Sequence, residues 1–270
     1  MASFDWGPLL AGGGPFFIGI LNLTPDSFSD GGRFLEPGAA LAQAQRLAAA
    51  GAGMLDLGAE STRPGAGALA EDEEWARLEP VLDLLRRSLD LPLSIDTRHP
   101  GVAGRALGLG ASVLNDVTGF ADPAMLELAR TRRCGLIAMR SRVRDGALWM
   151  PPYGEAAESS AEPALGELRL VQERLAAAGV APERLLLDPG FGFGTTFAED
   201  LALWKALPDL PRRLDWPADR FCLGISRKRF LAWRAGTPDL PPAERDPLTA
   251  GAHAEATAWG YRVFRTHAIG

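Results

Sequence analysis

Eight short apolar runs in this chain end in, or lead into, groups that can do chemistry. The run at 16–22 ends in Asn22, and the run at 54–58 leads into Glu60, Ser61, Thr62 and Arg63. The next two, at 91–96 and 112–116, end in Asp96 and in Asn115 with Asp116. The run at 135–139 ends near Met139 and Arg140, and that at 184–188 in Asp188. The last two, 221–226 and 261–267, carry Ser226, Arg227 and Lys228, and then Arg265 and His267. Arginine offers forked donors, histidine one more, and asparagine an oxygen that can hold Mg²⁺. Asn22, Arg265 and His267 together would suit a metal-assisted anion site, most simply for phosphate or diphosphate. Asp96, Asn115 and Asp188 suit a flat heterocycle rich in N–H donors and amide acceptors, since a carboxylate accepts two parallel N–H bonds.

Elements must bring these groups together. Each run is apolar on successive positions, the pattern of strands buried on both faces in a parallel sheet. Between them lie Ala/Leu-rich segments with helical spacing, such as AALAQAQRLAAAG, DEEWARLEPVLDLLRRSL and ALGELRLVQERLAAAG. Gly51 and Gly179 stand where helix C-caps belong. Eight strands alternating with helices predict an α/β fold of the (β/α)₈ TIM-barrel type, forming a single domain over 1–270. The competing doubly wound sheet needs a glycine-rich first turn, and NLTPDSFSDGG is not one. Closing the barrel makes strands one and eight neighbours, which gathers Asn22, Arg265 and His267. The chain stops at Gly270, just after strand eight, so the eighth helix is expected to be missing.

The connecting segments read less uniformly. TPDSFSDGG (24–32) and STRPGA (61–66) read as surface loops or lids, the second with an arginine for an anion. DPGFGFG (188–194) reads as a glycine turn in which Phe191 and Phe193 can cover a ring. The stretch 207–220 and the run RSRVRDG (140–146) read as loops, the latter solvated or drawing anions to the mouth. His99 is expected to be solvated, and His253 structural.

Composition narrows the class. Hydrophobic residues at 47% and charged residues at 23% exclude disorder as the main state. A net charge of −6 and a pI near 5.2 speak against a nucleic-acid partner. No apolar stretch reaches about 18 residues, so no membrane span is expected. The only cysteines, Cys134 and Cys222, make neither a disulfide framework nor a zinc site and fit a reducing cytoplasm. There is no Gly-x-Ser-x-Gly elbow for a serine hydrolase. Lys205 and Lys228 are the only lysines among 28 basic residues, which makes Lys228 in GISRK informative.

The ordered set of motifs resembles the dihydropteroate synthase family from about residue 16 to 267. GILNLTPDSFSDGG at 19–32 and DLGAESTRPGA at 56–66 are the two long matches. SIDT (94–97), GASVLNDV (110–117), DPGFGFG (188–194), GISRK (224–228) and RTH (265–267) follow in order. The resemblance implies a folate-pathway transferase joining 6-hydroxymethyl-7,8-dihydropterin diphosphate to p-aminobenzoate, usually as a homodimer with Mg²⁺. It implies that Asp96, Asn115, Asp188, Phe193 and Lys228 hold the pterin. Asn22, Thr62, Arg63, Arg265 and His267 would hold the diphosphate, with Asn22 as the metal ligand. Phe28, Thr62, Pro64, Ser226 and Lys228 would form the aminobenzoate site, and Asp30 and Arg63 would organise the closed loops. Asp96, Asp188, Lys228, Arg265 and His267 would carry the catalysis.

The chain also departs from the family pattern. Ile137-Ala138-Met139 stands for Met-His-Met, Thr195-Thr196 for Lys-Thr, Ala268-Ile269 for Asp-Val, and Ala59 for Gly. A non-catalytic pterin-binding paralogue therefore stays open. So does a pterin-dependent methyltransferase domain, although Arg265, His267 and the STRPG run have no use there.

Overall fold

The eight apolar runs form parallel strands. They are β1 (Phe16–Asn22), β2 (Ala52–Gly58), β3 (Leu93–Asp96) and β4 (Val113–Asp116), then β5 (Gly135–Met139), β6 (Leu185–Asp188), β7 (Cys222–Leu223) and β8 (Val263–Thr266). They hydrogen-bond in the order β6-β5-β4-β3-β2-β1-β8-β7. A single parallel bridge, Leu187↔Phe221, joins the two ends into a barrel. The computed structural model describes residues 3–24, 37–60, 69–144, 147–149 and 159–269.

Strand alternation sorts the side chains into two cores. One position in two faces the barrel axis. At the lower end Ile18, Met54, Val113, Ile137, Leu186, Cys222 and Val263 meet in one apolar layer. Trp6 closes the layer from below, fully buried, with its indole N–H donating to the Arg184 carbonyl at 2.9 Å. The intervening positions, among them Leu21, Leu55, Leu57, Leu114, Leu187 and Phe264, face the helices and form the larger core. Each such leucine contributes about 1.5–3 kcal/mol on burial. Two steps up, the inward row turns polar on β2, β4, β6 and β8, at Asp56, Asn115, Asp188 and Arg265, and Asp96 ends β3 beside them. The fold thus separates a dry floor from a polar mouth by strand position alone.

The helices wrap the barrel. α1 (Gly7–Leu10) lies beside the Trp6 plug. α2 (Pro37–Ala49), α3 (Glu71–Ser88), α4 (Pro100–Gly108), α5 (Pro123–Thr131) and α6 (Glu162–Ala177) follow β1 to β5. α7 (Phe197–Ala206) and α8 (Leu210–Leu214) follow β6, while α9 (Arg229–Arg234) and α10 (Asp246–Ala258) separate β7 from β8. Gly51 and Gly179 have φ of +102° and +75°, which suits their places at helix ends.

The stretch 207–220 is not the loop its prolines suggest. It folds as short helical turns, with Leu207, Leu210 and Leu214 buried at helical spacing. Pro208 and Pro211 sit in first turns, where the missing N–H costs nothing. Among the described residues no helix follows β8, and none is long and apolar enough to cross a membrane.

Candidate active site

Arg265 organises the mouth of the barrel. Its Nε donates to Asp56 Oδ2 at 2.5 Å and its Nη2 to Asp96 Oδ2 at 2.6 Å. Asn115 Nδ2 donates to the same Asp56 oxygen at 2.9 Å. The three strands β2, β3 and β4 are adjacent, and β8 joins them across β1, so one guanidinium spans the site. Burial pulls the Arg265 guanidinium down, but Asp56 and Asp96 more than offset this and hold it cationic. Burial pushes Asp96 up, while Arg265 opposes it. Asp56 is fully buried, and its Oδ1 has no hydrogen-bond partner among the described residues.

Asp188 and Lys228 form the other wall. Gly190 N–H donates to Asp188 Oδ1 at 2.8 Å, which leaves Oδ2 facing the bare Cα of Gly224. A Cβ at Gly224 would lie 3.1 Å from that oxygen, so glycine keeps the approach open. Burial raises Asp188 to about 6, against the Gly190 hydrogen bond and the Lys228 charge. Burial lowers Lys228 to about 8, with Asp188 and Asp200 opposing. The Lys228 ammonium lies 4.1 Å from the centre of the Phe193 ring.

His267 is a neutral donor rather than a second cation. Burial, then Arg227, Arg265 and Lys228, lowers it to about 3. Its Nδ1 lies 3.0 Å from Ser226 Oγ, which also accepts from the His267 backbone N–H at 3.1 Å. Thr266 Oγ1 donates its one proton to the Ala268 carbonyl at 2.8 Å and lies 3.3 Å from Ser226 Oγ. The Arg227 turn beneath has φ of +58°, held by a forked pair to Asp246 at 2.6 and 2.8 Å. Asn22 ends the neighbouring strand β1 and is half-buried. None of the described residues hydrogen-bonds its side chain.

This arrangement offers acceptors and one amide for a flat N–H-rich ring, next to a permanent cation and a neutral donor for an anion. The model of the pterin-binding enzyme family matches residues 18–267. The chain belongs to that family. It is 37% identical over 272 residues to a dihydropteroate synthase of Synechocystis, covering 98% of this chain and 88% of the relative. Among solved structures it is similar to Xanthomonas albilineans dihydropteroate synthase with 4-aminobenzoic acid: TM-score 0.79, 37% identity, 95% of this chain and 88% of that one. It is equally similar to the Burkholderia cenocepacia dihydropteroate synthase complexed with 7,8-dihydropteroate: TM-score 0.78, 36% identity, 94% of this chain and 86% of that one.

Of the site residues expected of a pterin-binding enzyme, Asp96, Asn115, Asp188, Phe193, Ser226, Lys228, Arg265 and His267 line one mouth. Asn22 stands on the strand next to β8, with no hydrogen bond to Arg265 or His267. Phe28, Asp30, Thr62, Arg63 and Pro64 lie outside the described residues. Asp56 is the residue that reading strand ends misses, because it sits inside the apolar run MLDLG. The available signal was parity, since Asp56 is two positions above the inward Met54.

Several other expectations need correction. Phe191 does not cover a ring in the site: it is 1% exposed and stacks on Phe230 at 5.1 Å. Arg140 is not solvated but buried against the 188–194 turn. His99 is not solvated either: its Nδ1 lies 2.5 Å from Glu74 Oε2, and Glu74 is buried. Glu60, Glu74 and His99 lie close enough for a cation, but Arg98 already forks onto both Glu60 oxygens at 2.9 and 3.0 Å. His253 is structural as expected, with its ring 4.5 Å from that of Phe264. The Thr195-Thr196 departure has local uses: Thr195 donates to buried Asp200 at 2.7 Å, and Thr196 caps α7 in a capping box with Glu199.

Proposed function

We propose that this chain condenses 6-hydroxymethyl-7,8-dihydropterin diphosphate with p-aminobenzoate, giving 7,8-dihydropteroate and diphosphate in folate biosynthesis. The observation that carries this reading is the polar ring of Asp56, Asp96, Asn115, Asp188, Lys228 and Arg265 above a sealed apolar floor. Relatives solved with 4-aminobenzoic acid and with 7,8-dihydropteroate support it. The bond broken joins the pterin methylene carbon to the diphosphate oxygen, which keeps the electron pair. The arylamine nitrogen forms the new C–N bond and gives up one proton to solvent.

Each residue has a part in this. Asp188 Oδ2 and the Asn115 amide meet the pterin edge, and Lys228 and Phe193 flank it. Cationic character at the methylene spreads into the electron-rich ring, and Asp188 and Asp96 stabilise it. Arg265 and His267 receive the leaving diphosphate. Asn22, whose side chain no described residue hydrogen-bonds, would hold Mg²⁺ through its hard amide oxygen. The ion would neutralise part of the leaving-group charge. Thr62, Arg63, Phe28 and Pro64 are assigned to aminobenzoate and diphosphate by family resemblance, Asp30 and Arg63 to organising the closed loops, and Ser226, whose oxygen lies beside His267, to aminobenzoate.

The deciding assay is diphosphate release from the pterin diphosphate with Mg²⁺, with and without p-aminobenzoate. Release that depends on p-aminobenzoate and yields dihydropteroate is expected, with loss on chelation by EDTA. Tight pterin binding without release would make a binding paralogue the better reading.

We also assign the chain to a single domain acting as a homodimer in the cytoplasm. The two cysteines support that compartment, since both are buried free thiols. Light scattering at micromolar concentration is expected to give a dimer mass, and a monomer would overturn that assignment.

A further inference from the structure

Arg140 follows β5 and lies under the turn that carries Asp188 and Phe193. Its guanidinium is almost fully buried, at 1% exposure. Nε donates to the Pro189 carbonyl at 2.8 Å, Nη2 to Gly190 at 2.9 Å and Nη1 to Phe193 at 3.2 Å. One planar group thus gathers three carbonyls of a six-residue turn. The backbone is packed just as closely. Arg140 N–H donates to the Asp188 carbonyl at 3.2 Å, and a Cβ at Gly190 would lie 2.1 Å from the Arg140 carbonyl oxygen. Gly190 has φ of +69°, so glycine is required there twice over.

Committing these carbonyls to one side turns the N–H groups of the turn to the other. Gly190 N–H then meets Asp188 Oδ1 at 2.8 Å, and Gly192 N–H meets Asp200 Oδ1 at 3.0 Å. The first bond sets the carboxylate that faces the site. The turn also places the Phe193 ring against the Lys228 ammonium. Among the described residues the one carboxylate it meets is Glu167, at 3.1 Å and 30% exposed, so most of its bonding is to the turn's carbonyls. What an apolar residue cannot do is hold three carbonyls in a fixed fork.

We propose that Arg140 is a positioning residue for the pterin side of the site, acting through the 189–193 turn on Asp188 and Phe193. The inference rests on the pterin assignment above. Its test compares wild type, Arg140→Lys and Glu167→Gln in steady-state kinetics, with calorimetric binding of the pterin diphosphate. Lysine keeps the charge but cannot span three carbonyls, so Arg140→Lys should raise the Kd and KM for pterin diphosphate at least ~10-fold, the loss of one or two charge-assisted bonds. The KM for p-aminobenzoate should move less than about 2-fold. Glu167→Gln removes the ion pair but keeps the fork, so it should lower Tm and leave pterin Kd within about 2-fold. Guanidinium chloride at low millimolar concentration should partly restore pterin binding to Arg140→Ala.

A parallel rise of both KM values in Arg140→Lys, or an unchanged pterin Kd, would overturn the inference. So would a ~10-fold loss of pterin binding in Glu167→Gln, which stays decisive even if Arg140→Lys does not fold. Failure of wild type itself to bind the pterin diphosphate would instead sink the functional reading beneath it.

Discussion

Asp188→Asn should lower kcat/KM for the pterin diphosphate by ~100-fold or more while leaving Tm at pH 8 unchanged or higher. The loss follows from the ligand side. A neutral amide offers one acceptor oxygen where the carboxylate offers two, and it cannot stabilise positive charge on the pterin methylene. One or two charge-assisted hydrogen bonds at about 1.5–3 kcal/mol each account for that factor. The stability effect runs the other way. Burial raises Asp188 to about 6 from its ordinary 3.8, so the folded state favours the protonated form. Relative to the unfolded chain, that contribution is fully present below pH 4 and is lost as pH rises through about 6. By pH 8 the ionised group costs on the order of 3 kcal/mol at most. Asparagine removes that cost and still accepts from Gly190 N–H.

The same groups set the pH profile. In wild type kcat/KM should rise through about pH 6 as Asp188 ionises and fall through about pH 8 as Lys228 loses its proton. Asp188→Asn should flatten the acid limb. It should also move the alkaline limb to lower pH, because an anion that holds Lys228 charged is gone. A variant with wild-type kcat/KM, or an acid limb that survives the substitution, would remove Asp188 from the chemistry.

Arg265→Met should lose both fold stability and activity, and the two losses should separate on a second substitution. Methionine strands Asp56, which is fully buried, and unpairs Asp96. Breaking a buried pair in this way costs about 3–5 kcal/mol. For a chain of this size that is a fall in Tm of roughly 10 °C. Activity should drop ~1,000-fold or more, as removing a donor that stabilises developing charge costs 10²–10³ by itself. Adding Asp56→Asn should return most of the Tm, since the asparagine oxygen can still accept from Asn115 Nδ2. It should return none of the activity, because the diphosphate still lacks its cation. Urea or thermal unfolding of the single and double variants, beside the release assay, checks both halves. A double variant as unstable as the single would show that Arg265 supports the barrel by some other route than Asp56.

Much of this site is legible from residue order alone. Asn22, Asp96 and Asp188 each end an apolar run, Asn115 comes one residue before the end of its run, and barrel strands present their carboxyl ends to one mouth. Gly51 and Gly179 mark helix ends because few other residues tolerate positive φ. The eight-strand beat is legible because runs apolar on every position have two faces to bury, and a parallel barrel with helices outside supplies both.

Other features depend on partners distant in sequence. Asp56 becomes a site residue only when β2 is in register beside β3 and its parity with Met54 is set. In the bare run MLDLG it is one acid among leucines. Phe191 and Phe193 are two residues apart in one motif. Packing sends the first to Phe230 in the core and the second to Lys228 in the mouth. Arg140 reads as one of three arginines in a polar run, and its meaning comes from three carbonyls about fifty residues away. His99 is read as solvated because nothing nearby in sequence pairs with it; its partner Glu74 comes from the preceding helix.

Residue order is enough for the architecture and for the chemical types gathered at the mouth. Those depend on local pattern: apolar runs, glycine positions and the residues at strand ends. Which charges pair, that His267 is neutral and that Arg140 is a scaffold follow from the folded barrel. Pairing and desolvation act through space over a few ångströms, and residues as far apart as Asp56 and Arg265 become neighbours only when the barrel closes.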